Sequence, residues 1–209
     1  MKKFFAGVLP LMVALLTAAC SQQPTGSCRI HGTVELERLN GKQIFMVPLE
    51  DNSAEAVDSV YIKDGKFELA TDTCHMAQLI MDYHYRDGVQ RLLVVTEPGD
   101  LNVVIGEVSH GSGTPGNDSL EVWKQATEQH TREMGSLRKA AKAIAATDSV
   151  KARQLYAQAD SVHKAYKHYT RRMAANLKEG ALHEFLKGLY PESYPKRMPD
   201  GSIVTVYDD

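Results

Sequence analysis

Two periods of hydrophobic placement divide this chain. From Ser27 to Val108, short β-rich runs alternate apolar and polar positions. Ile30, Gly32, Val34 and Leu36 share one face of the first run, and Arg29, His31, Thr33 and Glu35 share the other. That period of two belongs to half-buried strands. Turn dipeptides punctuate the runs. Asn40-Gly41 separates Ile30–Leu36 from Ile44–Leu49, and Asp64-Gly65 separates Val57–Ile62 from Phe67–Leu69. Asp87-Gly88 separates Met76–Tyr85 from Val89–Thr96, and Pro98-Gly99 precedes Leu101–Ile105. Asn-Gly and Asp-Gly suit type I′ hairpins, where both central residues take positive φ. Pro-Gly suits a type II turn. Residues 28–112 are therefore expected to form an antiparallel β-sandwich of about seven strands.

After Asn117-Asp118 the period changes. Leu120, Trp123, Thr127, His130, Met134, Leu137, Ala141 and Ile144 are spaced by three and four, a seam along one helical face. Asp118 and Glu121 have capping-box spacing. Asp148 offers a second N-cap. A second seam then runs through Leu155, Ala159, Val162, Tyr166, Tyr169 and Met173 to Leu177, and Gly180 is its expected stop. Two such helices joined by so short a turn predict an antiparallel hairpin. Residues 117–190 form this helical region, with a third short helix over Leu182–Leu189. Residues 191–209 read as an irregular tail, broken by three prolines, with a short strand over Ile203–Tyr207 entered at Asp200-Gly201. The fold class is α+β: a sandwich followed by a long helical hairpin.

The first residues are a separate device. Lys2-Lys3, an apolar run over Phe4–Ala14 and the small pair Ala18-Ala19 have the order of an export signal. The run is shorter than the ~20 apolar residues of a membrane span. Leu16-Thr17-Ala18-Ala19-Cys20 resembles the lipobox of bacterial lipoproteins, with Thr17 where that motif usually has Leu. The resemblance implies residues 1–19 as signal peptide, and a diacylglycerol thioether plus an amide-linked acyl chain on Cys20. Two or more acyl chains anchor stably where one does not. Residues 20–27 read as a lipidated tether.

Charge narrows the functional classes. Without residues 1–20 the chain has 22 basic and 26 acidic side chains. That acidic balance argues against a general nucleic-acid binder. Residues 21–116 hold 7 basic and 14 acidic side chains, whereas residues 117–190 hold 13 and 8. The basic hairpin is expected to pack over the acidic sandwich, in preference to facing anionic lipid. Cys28 and Cys74 are the cysteines left after Cys20. In an oxidising compartment they are a candidate disulfide, the alternative being two buried thiols.

Five stretches carry a further resemblance: Cys28–Val34, Gly41–Met46, Asp58–Glu68, Glu97–Val103 and Gly113–Asp118. In this order they resemble a β domain of unknown function that, in many envelope lipoproteins, precedes a TlpA-like thioredoxin domain with a helical segment between. Gly116 departs from that pattern, which often has a larger apolar residue there. The resemblance implies an envelope setting beside thiol–disulfide chemistry. The redox centre itself does not carry over, because the chain has no Cys-x-x-Cys.

Other chemistry finds little footing. His163 and His168 are five apart, and no His-Glu-x-x-His is present. His31, His75 and His84 fall on expected strands, so no metal site is expected. Ser59, Ser119, Ser149 and Ser161 each follow an Asp, without Gly-x-Ser-x-Gly or an assignable base. Their Asp-Ser motifs resemble an O-glycosylation signal, but Asp118 and Asp148 read as helix caps. Tyr156, Tyr166, Tyr169, Tyr190 and Tyr194 read as hairpin core in preference to a ligand groove. No phosphate loop and no cofactor are expected. The expected function is a non-catalytic, membrane-anchored envelope lipoprotein that acts as a binding or accessory module. Its partners are the membrane, through lipidated Cys20, and an envelope protein or glycan. The tether has no acidic cluster, so the expected location is the outer membrane, facing the periplasm. The rival is a stand-alone module of a thiol–disulfide system that partners a thioredoxin-like protein, using Cys28 and Cys74. A degenerate relative without a defined role is the third reading.

Overall fold

The computed structural model describes residues 26–51, 53, 55, 57–81, 89 and 91–207. Cys20, the signal segment, most of the tether, His84 and the Asp87-Gly88 turn lie outside the described residues. Eight strands build two four-stranded sheets. They are β1 (Cys28–Val34), β2 (Gln43–Pro48), β3 (Asp58–Tyr61), β4 (Lys66–Thr71), β5 (Met76–Ile80), β6 (Leu92–Val95), β7 (Gly99–Ile105) and β8 (His110–Ser112). One sheet has the order β4-β1-β7-β8 and the other β3-β2-β5-β6. Their facing sides enclose a core that includes Ile30, Leu39, Ile44, Ile62, Leu79, Leu92, Val94, Leu101 and Ile105.

The sandwich is α+β in context, as expected, with one departure from antiparallel order. β1 and β7 pair in parallel, Cys28 opposite Gly99 through Val34 opposite Ile105. A parallel pair needs a long crossover. Here the crossover includes the whole second sheet, so local turn signals cannot report it. The short β8, antiparallel to β7, was also not expected.

The turns divide. Asp64-Gly65 is a type I′ turn, with φ of 51° and 68° and paired bonds between Lys63 and Lys66. Its arms then part into different sheets. Asn40-Gly41 does not make the expected hairpin. Asn40 has φ −62° and ψ 136°, Gly41 has φ 77°, and Lys42 N–H donates to Leu39 O. This is a type II turn. With the 3₁₀ turn Glu37–Leu39 it carries the chain from one sheet to the other.

Helices α1 (Pro115–Ile144) and α2 (Ser149–Leu177) form the antiparallel hairpin, and α3 (Ala181–Leu189) folds back against its base. Every expected seam residue is buried or half-buried, from Leu120 to Ile144 and from Leu155 to Leu177. Asp148 caps α2 by accepting from Lys151 N–H at 2.9 Å. α2 ends at Leu177, just before Gly180, with Lys178 at φ 64°. The expected Asp118–Glu121 capping box is absent. Pro115 occupies the first helical turn, so the helix starts earlier. Asp118 instead accepts from Gly113 N–H, and Glu121 from Gly111 N–H.

The sandwich meets the start of α1 and α3 in a second core of Met76, Val95, Leu120, Ala174, Leu182 and Leu186. β5 and β6 are therefore covered on both faces. Beyond Thr127, α1 reaches roughly 25 Å further, packed along α2. The basic helical region meets the acidic sandwich through this second core, at the start of α1, the end of α2 and α3. The tail is also more ordered than expected. Strand β9 (Ser193–Arg197) pairs with β10 (Ile203–Tyr207) despite Pro195, and this ribbon exposes Tyr194, Ile203 and Tyr207.

Candidate binding cleft

The helix–sandwich junction is built by the motifs that carried the family resemblance. Glu97, from the Glu-Pro-Gly turn, accepts a hydrogen bond from Gly116 N–H at the start of α1. A carboxylate there satisfies an orphan donor and complements the helix dipole. A Cβ on Gly116 would meet that carboxylate at 2.7–2.9 Å, so glycine suits this junction. Asn117 is 1% exposed. Its Oδ1 accepts from Val95 N–H at 2.9 Å, and its Nδ2 donates to Val95 O and Thr114 Oγ1, both at 2.8 Å. β6 is an edge strand, so Asn117 takes the place of the missing neighbour.

Beside this junction, between the β6 end of the sandwich and the outer face of α1, lies a cleft of about 450 Å³. Leu93 and Trp123 supply its apolar wall, Val108 stands at its rim, and Gln125, Glu128 and His110 offer exposed polar groups. Several other lining groups are already engaged. Glu121 accepts from Gly111 N–H at 2.9 Å and from Lys124 Nζ at 2.7 Å. Arg91 donates to Gln78 Oε1 at 3.0 Å. Trp123 donates to Thr170 Oγ1 at 3.4 Å and meets Phe185 edge-on at 5.7 Å. Ser109 Oγ donates to Gly106 O, at 3.5 Å. The resulting wall mixes apolar and polar groups, with planar polar side chains at its rim. Concave sites of this makeup bind and orient ligands.

The residues singled out from sequence are not brought into this cleft. Cys28 lies fully buried in the inward row of β1, and Cys74 lies exposed in the β4–β5 connection. The structure describes both as free cysteines. Burial, then Glu97, Cys74 and Asp100, push the Cys28 thiol up to about 11. That is the reverse of an activated thiolate. His31 lies between Glu68 (3.5 Å) and Asp100 (3.3 Å) on the exposed face of its sheet. His163 and His168 do not meet; His163 instead faces His130, 33 residues away. Tyr166 is hairpin core, whereas Tyr156 and Tyr194 are exposed. Among the described residues no three His, Cys, Asp or Glu side chains gather as a metal centre would require. No helix among them is long and apolar enough to cross a membrane.

The sequence reading missed both the cleft and Asn117. Segments 91–93, 108–110 and 121–128 form the cleft, and only the fold joins them. The Thr114-Pro115 pair was an available sign of where α1 begins.

Comparison with family models matches residues 28–120 to one described as a domain of unknown function, DUF4369. The matched stretch ends at Leu120, so it includes the first turn of α1 along with the sandwich. Comparisons with curated proteins and with solved structures returned no match.

Proposed function

We propose that this chain is a non-catalytic envelope lipoprotein, held to the membrane through lipidated Cys20, whose cleft beside Trp123 receives an envelope protein or glycan. The cleft carries this reading: it pairs the apolar wall of Leu93 and Trp123 with the exposed polar groups of Gln125, Glu128 and His110. The export signal and lipobox-like Cys20 support the anchor. The lack of an acidic cluster after Cys20 favours an outer-membrane anchor that faces the periplasm.

Cys20→Ser removes the acylation site and leaves the export signal otherwise intact. In a fractionated envelope the parent chain should sediment with membranes, and C20S should move to the soluble periplasmic fraction or remain unprocessed. Equal membrane retention of both would remove the lipid anchor from this account.

Exposed Cys74 favours a second reading, in which the chain forms a mixed disulfide with a thioredoxin-like partner. Buried Cys28, with its raised pKa, weighs against a dithiol that exchanges readily.

A further inference from the structure

Three cross-helix pairs share one register along the hairpin. Trp123 meets Thr170, Thr127 meets Tyr166 and His130 meets His163. The last pair is the unusual one. His130 is 9% exposed and stacks on Tyr166 at 4.2 Å between centroids, with 3° between the planes. Its Nε2 lies 3.4 Å from His163 Nδ1. Its Nδ1 is buried and finds no hydrogen-bond partner.

This geometry constrains the protons. One nitrogen of the close pair must donate to the other. The arrangement that orphans no buried N–H has His130 Nε2–H donating to a bare His163 Nδ1. A further proton has no good place nearby. On His130 it would sit on Nδ1, buried and without an acceptor. On His163 Nδ1 it would set two N–H groups against each other. The surroundings do not rescue the cation. On α1, Glu133 favours it, but Glu133 is exposed and so screened, and Arg138 opposes it. From α2, His163 opposes it and Tyr166 covers the ring face. Tyr190, after α3, packs on both His163 and Tyr166, and its own burial keeps it a neutral phenol.

We infer that His130 and His163 form an acid-sensitive catch, which joins α1 to α2 while His130 is neutral and releases the middle of the hairpin when His130 takes a proton. Burial first, then His163, holds His130 below its ordinary value of 6.5. A base with a depressed folded pKa favours the folded form above the unfolded value. Its contribution is full above about pH 6.5 and is lost as pH falls from there through the folded value. His75, in the sandwich, is lowered by its own burial and acts in the same direction. The readout must therefore be local to the hairpin.

Amide hydrogen exchange on the full chain at pH 7.5 and 5.5, corrected for intrinsic rates, provides that readout. Peptides within 127–166 should open up to about tenfold more at pH 5.5, the most that one protonation gains per pH unit below 6.5. His130→Phe keeps a stacking ring without a titrating nitrogen, and should abolish the hairpin response while leaving any response around His75. An unchanged wild-type hairpin, or the same acid response in H130F, overturns the inference. If H130F does not fold, imidazole nitrogen NMR of the wild-type chain decides. Titration of His130 below 6.5, with loss of its contact to His163, supports the catch, and titration at or above 6.5 overturns it.

Discussion

Asn117→Ala is expected to destabilise the protein by about 2–6 kcal/mol, measured as a lower urea midpoint at unchanged slope. The substitution removes no apolar surface of consequence. It leaves both the N–H and the C=O of Val95 buried without their partners, at about 1–3 kcal/mol each. Whole domains are stable by only about 5–15 kcal/mol, so the loss is a large part of the total. Asn117→Asp separates donation from shape. Its carboxylate can still accept from Val95 N–H, but its second oxygen faces Val95 O, and it carries charge into a buried site. N117D should therefore be at least as unstable as N117A. An Asp variant close to the parent would show that the Nδ2 bond is not what joins sheet and helix.

Leu186→Ala should cost about 2–5 kcal/mol, the range for a leucine truncated in a packed core. Leu186 is fully buried where α3 meets Met76, Val95 and Leu120. Its loss loosens α3, and with it Phe185, which lies edge-on to Trp123. Trp123 is the sole tryptophan, so its emission should report the change directly. Leu189→Ala on the same helix is the control. Leu189 is 40% exposed, and its truncation should stay within about 0.5 kcal/mol. Equal effects from the two leucines would mean that α3 is not a structural element of the junction.

These two sites show what was and was not legible in the sequence. The alternation in Cys28–Val34 and the seams of both helices were plain, because one side of each faces water. β5 and β6 alternate poorly, with Met76-Ala77 and Leu92-Leu93-Val94-Val95 nearly continuous runs. That is the pattern of strands covered on both faces, here by the other sheet and by the helices. Asn40-Gly41 misled because a glycine at the third position serves a type II turn as readily as a type I′ one. Asp118 misled because helix-start residues can bond backwards to the preceding loop as well as forwards. β9 was hidden by Pro195, which a two-stranded ribbon tolerates at an edge. The parallel β1–β7 pair and the cleft depend on contacts far apart in sequence, and no local signal marks them. His130 and His163 were within reach. They lie equally far from the Ala145–Asp148 turn, so an antiparallel hairpin sets them face to face.

The most direct test of the binding reading places a photocrosslinking amino acid at Gln125, on the cleft rim, in the lipid-bearing chain within intact envelopes. The control position is Glu68, exposed on the opposite sheet. Binding in the cleft predicts a discrete adduct from position 125, absent from position 68 and unaffected by reductant. No position-specific adduct, or a partner held only by a reducible bond to Cys74, would contradict it.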